Sequence, residues 1–289
     1  MASSETILSS KDIEDLLNNS NLSFENLKYL AKEVANNSWS PYSHFPVGAV
    51  VVGIDQNKKL KTFPGTNVEP NIPLTLCAER NAIYSGITAG YKKFVAIAIS
   101  LPKAELRNEE KDLNFFTPCG ACREVISQKI DSKGIILIDG IQRTFTPKEL
   151  LPHPILDVNK LKTLTLDELD TLERARTALH NAHVPFSKEK YAVAMLVENP
   201  KEIYSACTVD SYSFGLSVEP AKAVFGSYFA NRNLKNKIKA VVFAFPFVKY
   251  PPGDALQIIS DHTEPNTKII IDNVGITTIE ELLPFAFKF

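Results

Sequence analysis

The stretch TLCAERNAI, residues 75–83, decides how this 289-residue chain folds and what chemistry it carries. It places Cys77 two residues before Glu79, at the start of a segment whose residues favour a helix. A cysteine at a helix N-terminus lies in partial positive charge, which favours its thiolate form. The stretch therefore predicts a thiolate beside a carboxylate, and the positions of the other cysteines decide what the pair does.

Two further cysteines form a Cys-x-x-Cys pair at the start of another predicted helix, in TPCGACREVI (117–126). Cys119 and Cys122 lie about one helical turn apart and on one side of that helix. Two helix N-termini that face each other would gather these thiols and Cys77. Three protein ligands with an open fourth position are typical of a catalytic zinc, whereas a structural zinc usually has four. A redox dithiol is the rival interpretation, but it leaves Cys77 beside Glu79 unexplained.

Glu79 and Arg80 gain roles if the three thiols hold zinc. The Glu79 carboxylate is predicted to face the open position, where it accepts a proton from water and delivers it elsewhere. Arg80 is predicted to withdraw negative charge from the thiolates through charge-assisted hydrogen bonds. Arg123 either shares that task or forms a surface ion pair. The alternative interpretation of Glu79 is a solvated acid that complements the helix dipole.

The composition indicates a globular protein of a reducing compartment. The 32 Lys and Arg residues nearly balance the 33 Asp and Glu residues, so no basic excess is available for nucleic acid or for an anionic membrane. Neither a secretory signal nor the ~20 apolar residues of a membrane-spanning helix are found. The four cysteines are too few for a disulfide scaffold, and Cys207 is interpreted as an ordinary buried residue. We expect a cytoplasmic protein with neither nucleic acid nor membrane as a partner.

The combination of Cys-Ala-Glu with Pro-Cys-x-x-Cys resembles the zinc-dependent cytidine and deoxycytidylate deaminases, in their three-cysteine version. Within that superfamily, SPYSHFPVGAVV (40–51) and GTNVEP (65–70) resemble cytidine deaminase, and the resemblance covers roughly residues 25–155. It implies hydrolytic deamination of cytidine and 2′-deoxycytidine in pyrimidine salvage, with Glu79 as the proton shuttle. It also implies one zinc per chain, held by Cys77, Cys119 and Cys122.

The same resemblance implies a set of substrate contacts. Asn67 and Glu69 match the pair that grips the ribose hydroxyls in the family, and an amide with a carboxylate offers the donors and acceptors that a sugar needs. Phe45 matches the aromatic residue beside the pyrimidine ring, and the set is completed by Val68 and Ala78. Without the zinc motif, Asn67 and Glu69 would be interpreted as ordinary loop residues and Phe45 as part of the core.

The second half of the chain faintly repeats the first. RARTALHNAHVPFS (174–187) aligns with LAKEVANNSWSPYS (30–43), and GLSVEPAKAV (215–224) aligns with LTLCAERNAI (74–83). The apolar framework survives in the copy, but the chemical positions do not. In this alignment Cys77 becomes Val218, Glu79 becomes Pro220, Cys119 becomes Pro252 and Cys122 becomes Ala255. The copy is therefore predicted to pack without holding this zinc.

The predicted fold class is α/β, with two tandem three-layer α/β/α cytidine-deaminase-like domains of which the second is degenerate. We expect a catalytic domain at 1–152, a linker at 153–169 and the degenerate domain at 170–289. The expected elements of the first domain are helices near 10–18, 24–37, 77–88 and 119–130, and strands near 47–54, 59–67, 94–100 and 134–139.

The length of the chain and its ligand set point to different branches of the family. Fused two-domain members assemble as homodimers and usually carry His-Ala-Glu, whereas Cys-Ala-Glu-Arg is the pattern of the short tetrameric branch. The duplication favours a homodimer, with a nucleoside as the small-molecule partner. The alternatives are a deaminase of another cytosine compound or of a nucleic-acid base, and a non-catalytic zinc-binding protein.

Overall fold

The chain forms two compact units. The first comprises the chain up to Leu151 together with the residues from Phe287 onward, and the second runs from Pro152 to Ala286. The residues described by this computed structural model are 8–102, 109–198, 201–231 and 237–288.

The segment predicted as a linker, 153–169, lies inside the second unit. It contains a 3₁₀ helix at Val158–Thr163 and reaches into a helix that begins at Leu166. Thr165 caps that helix through its hydroxyl, so the start of the helix was readable as a capping signal. The predicted boundary of the second domain at residue 170 therefore begins the unit too late.

The first unit is a four-stranded sheet with helices on both faces. In chain order its elements are α1 (Ser10–Asn19), α2 (Phe24–Ala35), β1 (Gly48–Ile54), β2 (Leu60–Thr66), α3 (Ala78–Thr88), β3 (Phe94–Ser100), α4 (Glu109–Phe116), α5 (Gly120–Lys129), β4 (Ile130–Ile138) and α6 (Pro147–Leu150). The strand order is β2-β1-β3-β4, with β1 antiparallel to both neighbours and β3 parallel to β4.

Strand β1 shows why the three-layer prediction is right. Val50 and Val52 pack in one core with α1 and α2, whereas Ala49 and Val51 pack on the opposite face in a core that includes residues of α3 and α5. Since both faces are covered, the strand is apolar at nearly every position instead of alternating with polar residues.

The helices begin in two different ways. Ser9 caps α1 in a capping box, and Ser23 caps α2 with its hydroxyl. The residues that precede α3 and α5 are Cys77 and Cys119, and neither side chain makes a capping hydrogen bond. Both thiols are therefore left for another purpose.

Helix α3 lies directly on β2 because Gly65 has no side chain. A Cβ at Gly65 would lie 2.2 Å from the backbone nitrogen of Ala82 and 2.7 Å from the carbonyl oxygen of Ala78. Backbone atoms cannot swing aside as the end of a flexible side chain can, so this approach requires glycine.

The second unit repeats this topology and adds one strand. In chain order its elements are α7 (Leu166–His180), β5 (Ala192–Glu198), β6 (Glu202–Cys207), α8 (Pro220–Asn231), β7 (Lys237–Ala244), α9 (Gly253–His262), β8 (Lys268–Ile271), β9 (Gly275–Thr278) and α10 (Ile279–Leu282). The strand order is β6-β5-β7-β8-β9, and its first four strands correspond to the order in the first unit. The directions of the pairs agree as well, with β5 antiparallel to β6 and β7, and β7 parallel to β8.

Backbone pairing corrects the alignment of the two halves by one residue. Val68 exchanges two hydrogen bonds with Leu76, and the matching exchange in the second unit joins Val209 to Val218. Val218 therefore corresponds to Leu76, and Glu219, the residue just before α8, corresponds to Cys77. By the same shift Ala221, and not Pro220, stands where Glu79 stands. The connecting loop of the copy is one residue longer, which the faint repeat in sequence did not show.

The other equivalences follow from strand and helix positions. Gly65 pairs with Ala49, the second residue of β1, and Ala206 pairs with Val193, the second residue of β5. Ala206 thus stands where the first unit has its obligatory glycine. Pro252 precedes α9 as Cys119 precedes α5, so the predicted replacement at that ligand position agrees with the structure.

Candidate active site

Three thiols meet where α3 and α5 begin. The Sγ atoms of Cys77 and Cys119 are 3.8 Å apart, and all three sulfurs, including that of Cys122, lie within 4.8 Å of one another. Cys122 is in the first turn of α5 and is fully buried. Cys207 lies in β6 of the second unit, half-buried and outside this cluster.

The cluster has the dimensions and the chemistry for zinc. A tetrahedral zinc with Zn–S bonds of about 2.3 Å separates its sulfur ligands by about 3.8 Å. Hydrogen bonds from Cys119 and then from Cys122 hold the pKa of the Cys77 thiol well below its usual value. Burial raises the pKa of Cys122 well above its usual value, so a bound cation is needed to deprotonate the full set.

Glu79 is a buried carboxyl at the same place. It lies in the first turn of α3, is 5% exposed and lines one cavity with Cys77 and Cys119. Burial, and after it the charge of Cys77, raise the pKa of Glu79 to about 7. A carboxyl in this range both takes and returns a proton at neutral pH. This burial rules out the alternative interpretation of a solvated helix-start acid.

The Arg80 guanidinium contacts the thiol of Cys77, as the sequence predicts. Its Nη2 lies 3.5 Å from the Sγ of Cys77 and donates to the carbonyl oxygen of Thr75 at 3.2 Å. Burial alone would lower the pKa of this guanidinium, but the charges of Cys122 and Cys77 raise it above its usual value. The contact supplies positive charge to the sulfurs from outside the ligand set.

Arg123 is not a surface ion pair: it lies inside the unit, where the charges of Cys119 and Cys122 favour its cationic form. It is fully buried, and burial lowers the pKa of its guanidinium to about 10. Its Nε donates to the carbonyl of Pro118 at 2.7 Å, its Nη1 to the carbonyl of Leu150 at 2.8 Å and its Nη2 to the Thr117 hydroxyl at 3.0 Å. Arg123 therefore fastens the segment that delivers Cys119.

A cavity of about 300 Å³ opens beside Glu79 and the thiols. Its wall includes Phe45 and three aromatic residues that the sequence did not single out, Phe115, Phe116 and Phe287. The Phe45 and Phe115 ring centroids are 5.1 Å apart at 77°, and those of Phe115 and Phe287 are 6.5 Å apart at 27°. The spacing of motifs gave no signal for Phe287, because it is separated from all of them by the entire second unit.

Glu69 holds its carboxylate at this cavity by three hydrogen bonds. Its Oε2 accepts the backbone N–H groups of Tyr42 at 3.1 Å and Ser43 at 3.0 Å, and its Oε1 accepts the Ser43 hydroxyl at 2.5 Å. Burial opposes the charged form, but the hydrogen bonds from Ser43 and Tyr42 lower the pKa of Glu69. The Asn67 side chain also favours the charged form of this carboxylate. A carboxylate oxygen has two lone pairs, so Oε1 can accept a second donor besides the Ser43 hydroxyl.

The Asn67 side chain lines the cavity and also forms hydrogen bonds with the loop that contains Phe45. Its Oδ1 accepts the Val47 N–H at 2.8 Å and the Ser38 hydroxyl at 2.7 Å, and its Nδ2 donates to the Phe45 carbonyl at 2.9 Å. The amide therefore fixes the loop that presents Phe45, which the sequence interpretation did not foresee.

The two remaining predicted contacts differ in position. Ala78 lines the cavity at the start of α3. Val68 does not line it, and its backbone pairs with Leu76 and bridges to Trp39 instead. Val68 thus sets the spacing between its neighbours and does not touch the cavity.

The comparisons with known proteins agree with this geometry. Residues 23–137 match the family described as the cytidine and deoxycytidylate deaminase zinc-binding region. A cytidine deaminase from Mycoplasma genitalium is 31% identical over 103 residues, which are 34% of this chain and 69% of that protein. The chain belongs to the cytidine deaminase family. The three thiols all lie within the matched zinc-binding region, and their cluster fits a zinc site.

Two further cytidine deaminases match to different extents. A probable cytidine deaminase from Dictyostelium discoideum is 41% identical over 85 residues, 29% of this chain and 50% of that protein. A cytidine deaminase from Yersinia pseudotuberculosis is 28% identical over 198 residues, 64% of this chain and 60% of that protein. The chain thus spans only 50% and 60% of these two relatives' own lengths. The Yersinia match exceeds the length of either unit, so it reaches into both.

Within the parts of the chain that the structure describes, no helix combines the length and the apolar character that crossing a membrane requires.

Proposed function

We propose that the first unit hydrolyses cytidine and 2′-deoxycytidine to the corresponding uridine nucleosides and ammonia, a reaction of pyrimidine salvage. One observation carries the proposal: the buried Glu79 carboxyl shares a cavity with two of the three clustered thiols and with an aromatic wall. Membership of the cytidine deaminase family supports the same reaction.

Glu79 moves two protons in this reaction. Zinc, when held by the three thiols, makes water a stronger acid. Glu79 takes one proton from the attacking water and delivers it to ring N3 while the water oxygen bonds to C4. It then transfers the remaining proton of that oxygen to the amine, the C4–N bond breaks, and ammonia leaves as the C4 carbonyl forms. A pKa of about 7 suits a group that accepts and releases protons in turn.

Phe45, Asn67 and Glu69 orient the nucleoside. Oε1 of Glu69 accepts a ribose hydroxyl, and the Asn67 amide, which lines the same cavity, stands beside it. The rings of Phe45 and Phe115 pack edge to face against each other and together form the surface that contacts the base. The backbone of Ala78, in the first turn of α3, offers one of the N–H groups that a helix start leaves unpaired.

The first test combines a turnover assay with a metal assay on one sample. We expect the absorbance of cytidine to fall on mixing with the protein, and zinc to be present at about one ion per chain. Glu79→Gln should keep the zinc and the circular dichroism spectrum while kcat falls by at least about 10³-fold, since general acid–base catalysis contributes up to about 10⁴. Wild-type kcat in this variant would contradict the role of Glu79, and zinc without turnover in the wild type would favour a binding protein.

The proposal includes assembly as a homodimer, which the duplicated organisation supports. In each unit a matching 3₁₀ helix exposes large apolar side chains to solvent. They are Ile72 and Leu74 in the first unit, and Leu216 in the second. Exposed apolar patches of this kind mark association surfaces. Light scattering during size-exclusion chromatography should give twice the chain mass of 32.1 kDa, and a single-chain mass would refute the dimer.

We also propose a cytoplasmic location. The zinc ligands must be reduced thiols, and all four cysteines are free. Fractionation of cells that express the tagged chain tests this, and recovery of the protein outside the cytoplasmic fraction would refute it.

A further inference from the structure

In the first unit, the Glu69 carboxylate accepts two backbone N–H groups and one serine hydroxyl. We call this arrangement the carboxylate cradle, and the second unit keeps it. Oδ2 of Asp210 accepts the backbone N–H groups of Phe186 at 3.0 Å and Ser187 at 2.8 Å, and Oδ1 accepts the Ser187 hydroxyl at 2.7 Å. These are the three bonds that Glu69 accepts, from matching positions. Among the residues that the structure describes, no further donor reaches the hydroxyl-bonded oxygen of Asp210, which can accept a second hydrogen bond.

The loop that supports the cradle is also kept. Lys188 has a left-handed φ of 61°, and its counterpart His44 has one of 55°. The Thr208 hydroxyl accepts the Tyr191 N–H at 3.3 Å, in the place where Asn67 accepts its own loop N–H. A non-glycine residue with positive φ carries a conformational cost, so its repetition indicates that the whole loop geometry has been preserved.

A cavity of about 440 Å³ lies against this cradle, within the size range of small-ligand pockets. Asp210 lines it together with two aromatic residues, Phe186 and Phe214, whose ring centroids are 6.2 Å apart at 61°. Aromatic faces at the edge of a cavity provide a surface on which a planar base stacks.

A carboxylate occupies the place of the first zinc ligand. Oε1 of Glu219 accepts the Tyr191 hydroxyl at 2.7 Å and the Ala221 N–H at 2.8 Å, while Oε2 accepts the Lys222 N–H at 2.9 Å. Glu219 lines the cavity, and within the described parts of the chain its Oε2 accepts one hydrogen bond and can accept another. Asp210 and Glu219 therefore both offer carboxylate oxygens to the cavity, whereas Pro252 at the second ligand position offers no zinc ligand.

We propose that this cavity binds a pyrimidine nucleoside without converting it. A pentose hydroxyl donates to Asp210, the base stacks against Phe186 and Phe214, and an N–H group of the base donates to Glu219. The proposal rests on the proposed function, because the sugar-binding role of Glu69 is its template.

Hydrogen exchange of the zinc-loaded full-length protein, measured by mass spectrometry with uridine, tests this. Uridine is suitable because the reaction does not consume it, and uracil serves as the control that lacks the pentose. We expect uridine, but not uracil, to slow exchange in residues 184–191 and 208–219. Asp210→Ala should remove this slowing, and so should Val218→Trp, which fills the cavity from a position that is already 43% exposed. Both variants should keep the slowing in residues 40–47 of the first unit.

The second variant covers the case in which Asp210→Ala disturbs the loop. Unchanged exchange in 184–191 and 208–219 at about 10 mM uridine, enough to fill a site with a Kd of ~1 mM, would overturn the proposal. Slowing that persists in both variants would overturn it as well. Cytidine turnover by the same samples reports separately on the first unit, so a failure of the proposed function is recognised independently of this result.

Discussion

The two cavities of this chain show which parts of a binding site survive duplication. Both keep a carboxylate that accepts two backbone N–H groups and a serine hydroxyl, in Glu69 and in Asp210. Only the first keeps the thiols. The cradle is bonded mostly to backbone, so aspartate can replace glutamate there without loss. A zinc site needs ligand side chains at all of its positions, and replacement of one by a residue that cannot bind zinc removes the site.

The largest difference between the two units is expected when the residues that directly precede α5 and α9 are each replaced by alanine. Cys119→Ala should abolish stoichiometric zinc and lower kcat for cytidine by at least about 10³-fold, because a catalytic metal contributes several kcal/mol to the transition state. Pro252→Ala, at the same place in the second unit, should change neither. Zinc content by mass spectrometry and turnover by absorbance check both variants, and retention of zinc by Cys119→Ala would break the ligand assignment.

The one-residue correction of the repeat can be tested by rebuilding the lost site. Glu219→Cys combined with Pro252→Cys and Ala255→Cys should raise the zinc content from one to two ions per chain. The set built on the sequence alignment, with Val218→Cys in place of Glu219→Cys, should stay at one, because Val218 occupies the strand-bridge position. Equal zinc binding by both sets would show that the pairing of Val209 with Val218 does not fix the equivalence.

A smaller effect is expected from the first cradle. Glu69→Gln should raise KM for cytidine by about 10- to 100-fold with a lesser change in kcat, since a hydrogen bond to a charged group is worth about 1.5–3 kcal/mol. Glu202→Gln, on the exposed start of β6, serves as the control and should leave KM unchanged. A fall in kcat alone would indicate that Glu69 acts on the reacting atoms and not on the sugar.

The smallest effect is expected at the aromatic wall. Phe287→Ala should raise KM by about 2- to 10-fold at unchanged zinc content, since an aromatic pair contributes about 0.5–1.5 kcal/mol. Phe247→Ala, an exposed phenylalanine of the second unit, should have no effect on KM. An unchanged KM in Phe287→Ala would remove this residue from the substrate cavity.

The parts of the molecule predicted from sequence are those set by local chemistry. The three cysteines could be grouped because a Cys-x-x-Cys pair and a second helix start each place thiols in positive potential. The alternation of cores on β1 follows from a run of apolar residues too short for a helix. The Glu79 and Arg80 placements follow from their distance to Cys77 within one helical turn.

The parts that were missed depend on contacts distant in sequence. No residue near Arg123 in sequence indicates that its side chain is buried and donates a hydrogen bond to the carbonyl of Leu150. Phe287 lines the first cavity, although in sequence it follows the entire second unit. The sequence alignment wrongly placed Val218 opposite Cys77, because the two halves share too few identical residues to reveal one added residue in the loop. The bridge between Val209 and Val218 shows that added residue directly.

The missing side chain at Gly65 has a consequence for how the rest of the molecule can vary. Where a helix rests on a sheet through side chains, each exchange of a core residue alters the thickness of the layer between them. At Gly65 that layer is absent, since the next atoms are the backbone of α3. Drift in the surrounding core therefore does not change the height at which Cys77 and Glu79 stand above the sheet. The second unit has Ala206 at this place, so the same constraint does not apply there.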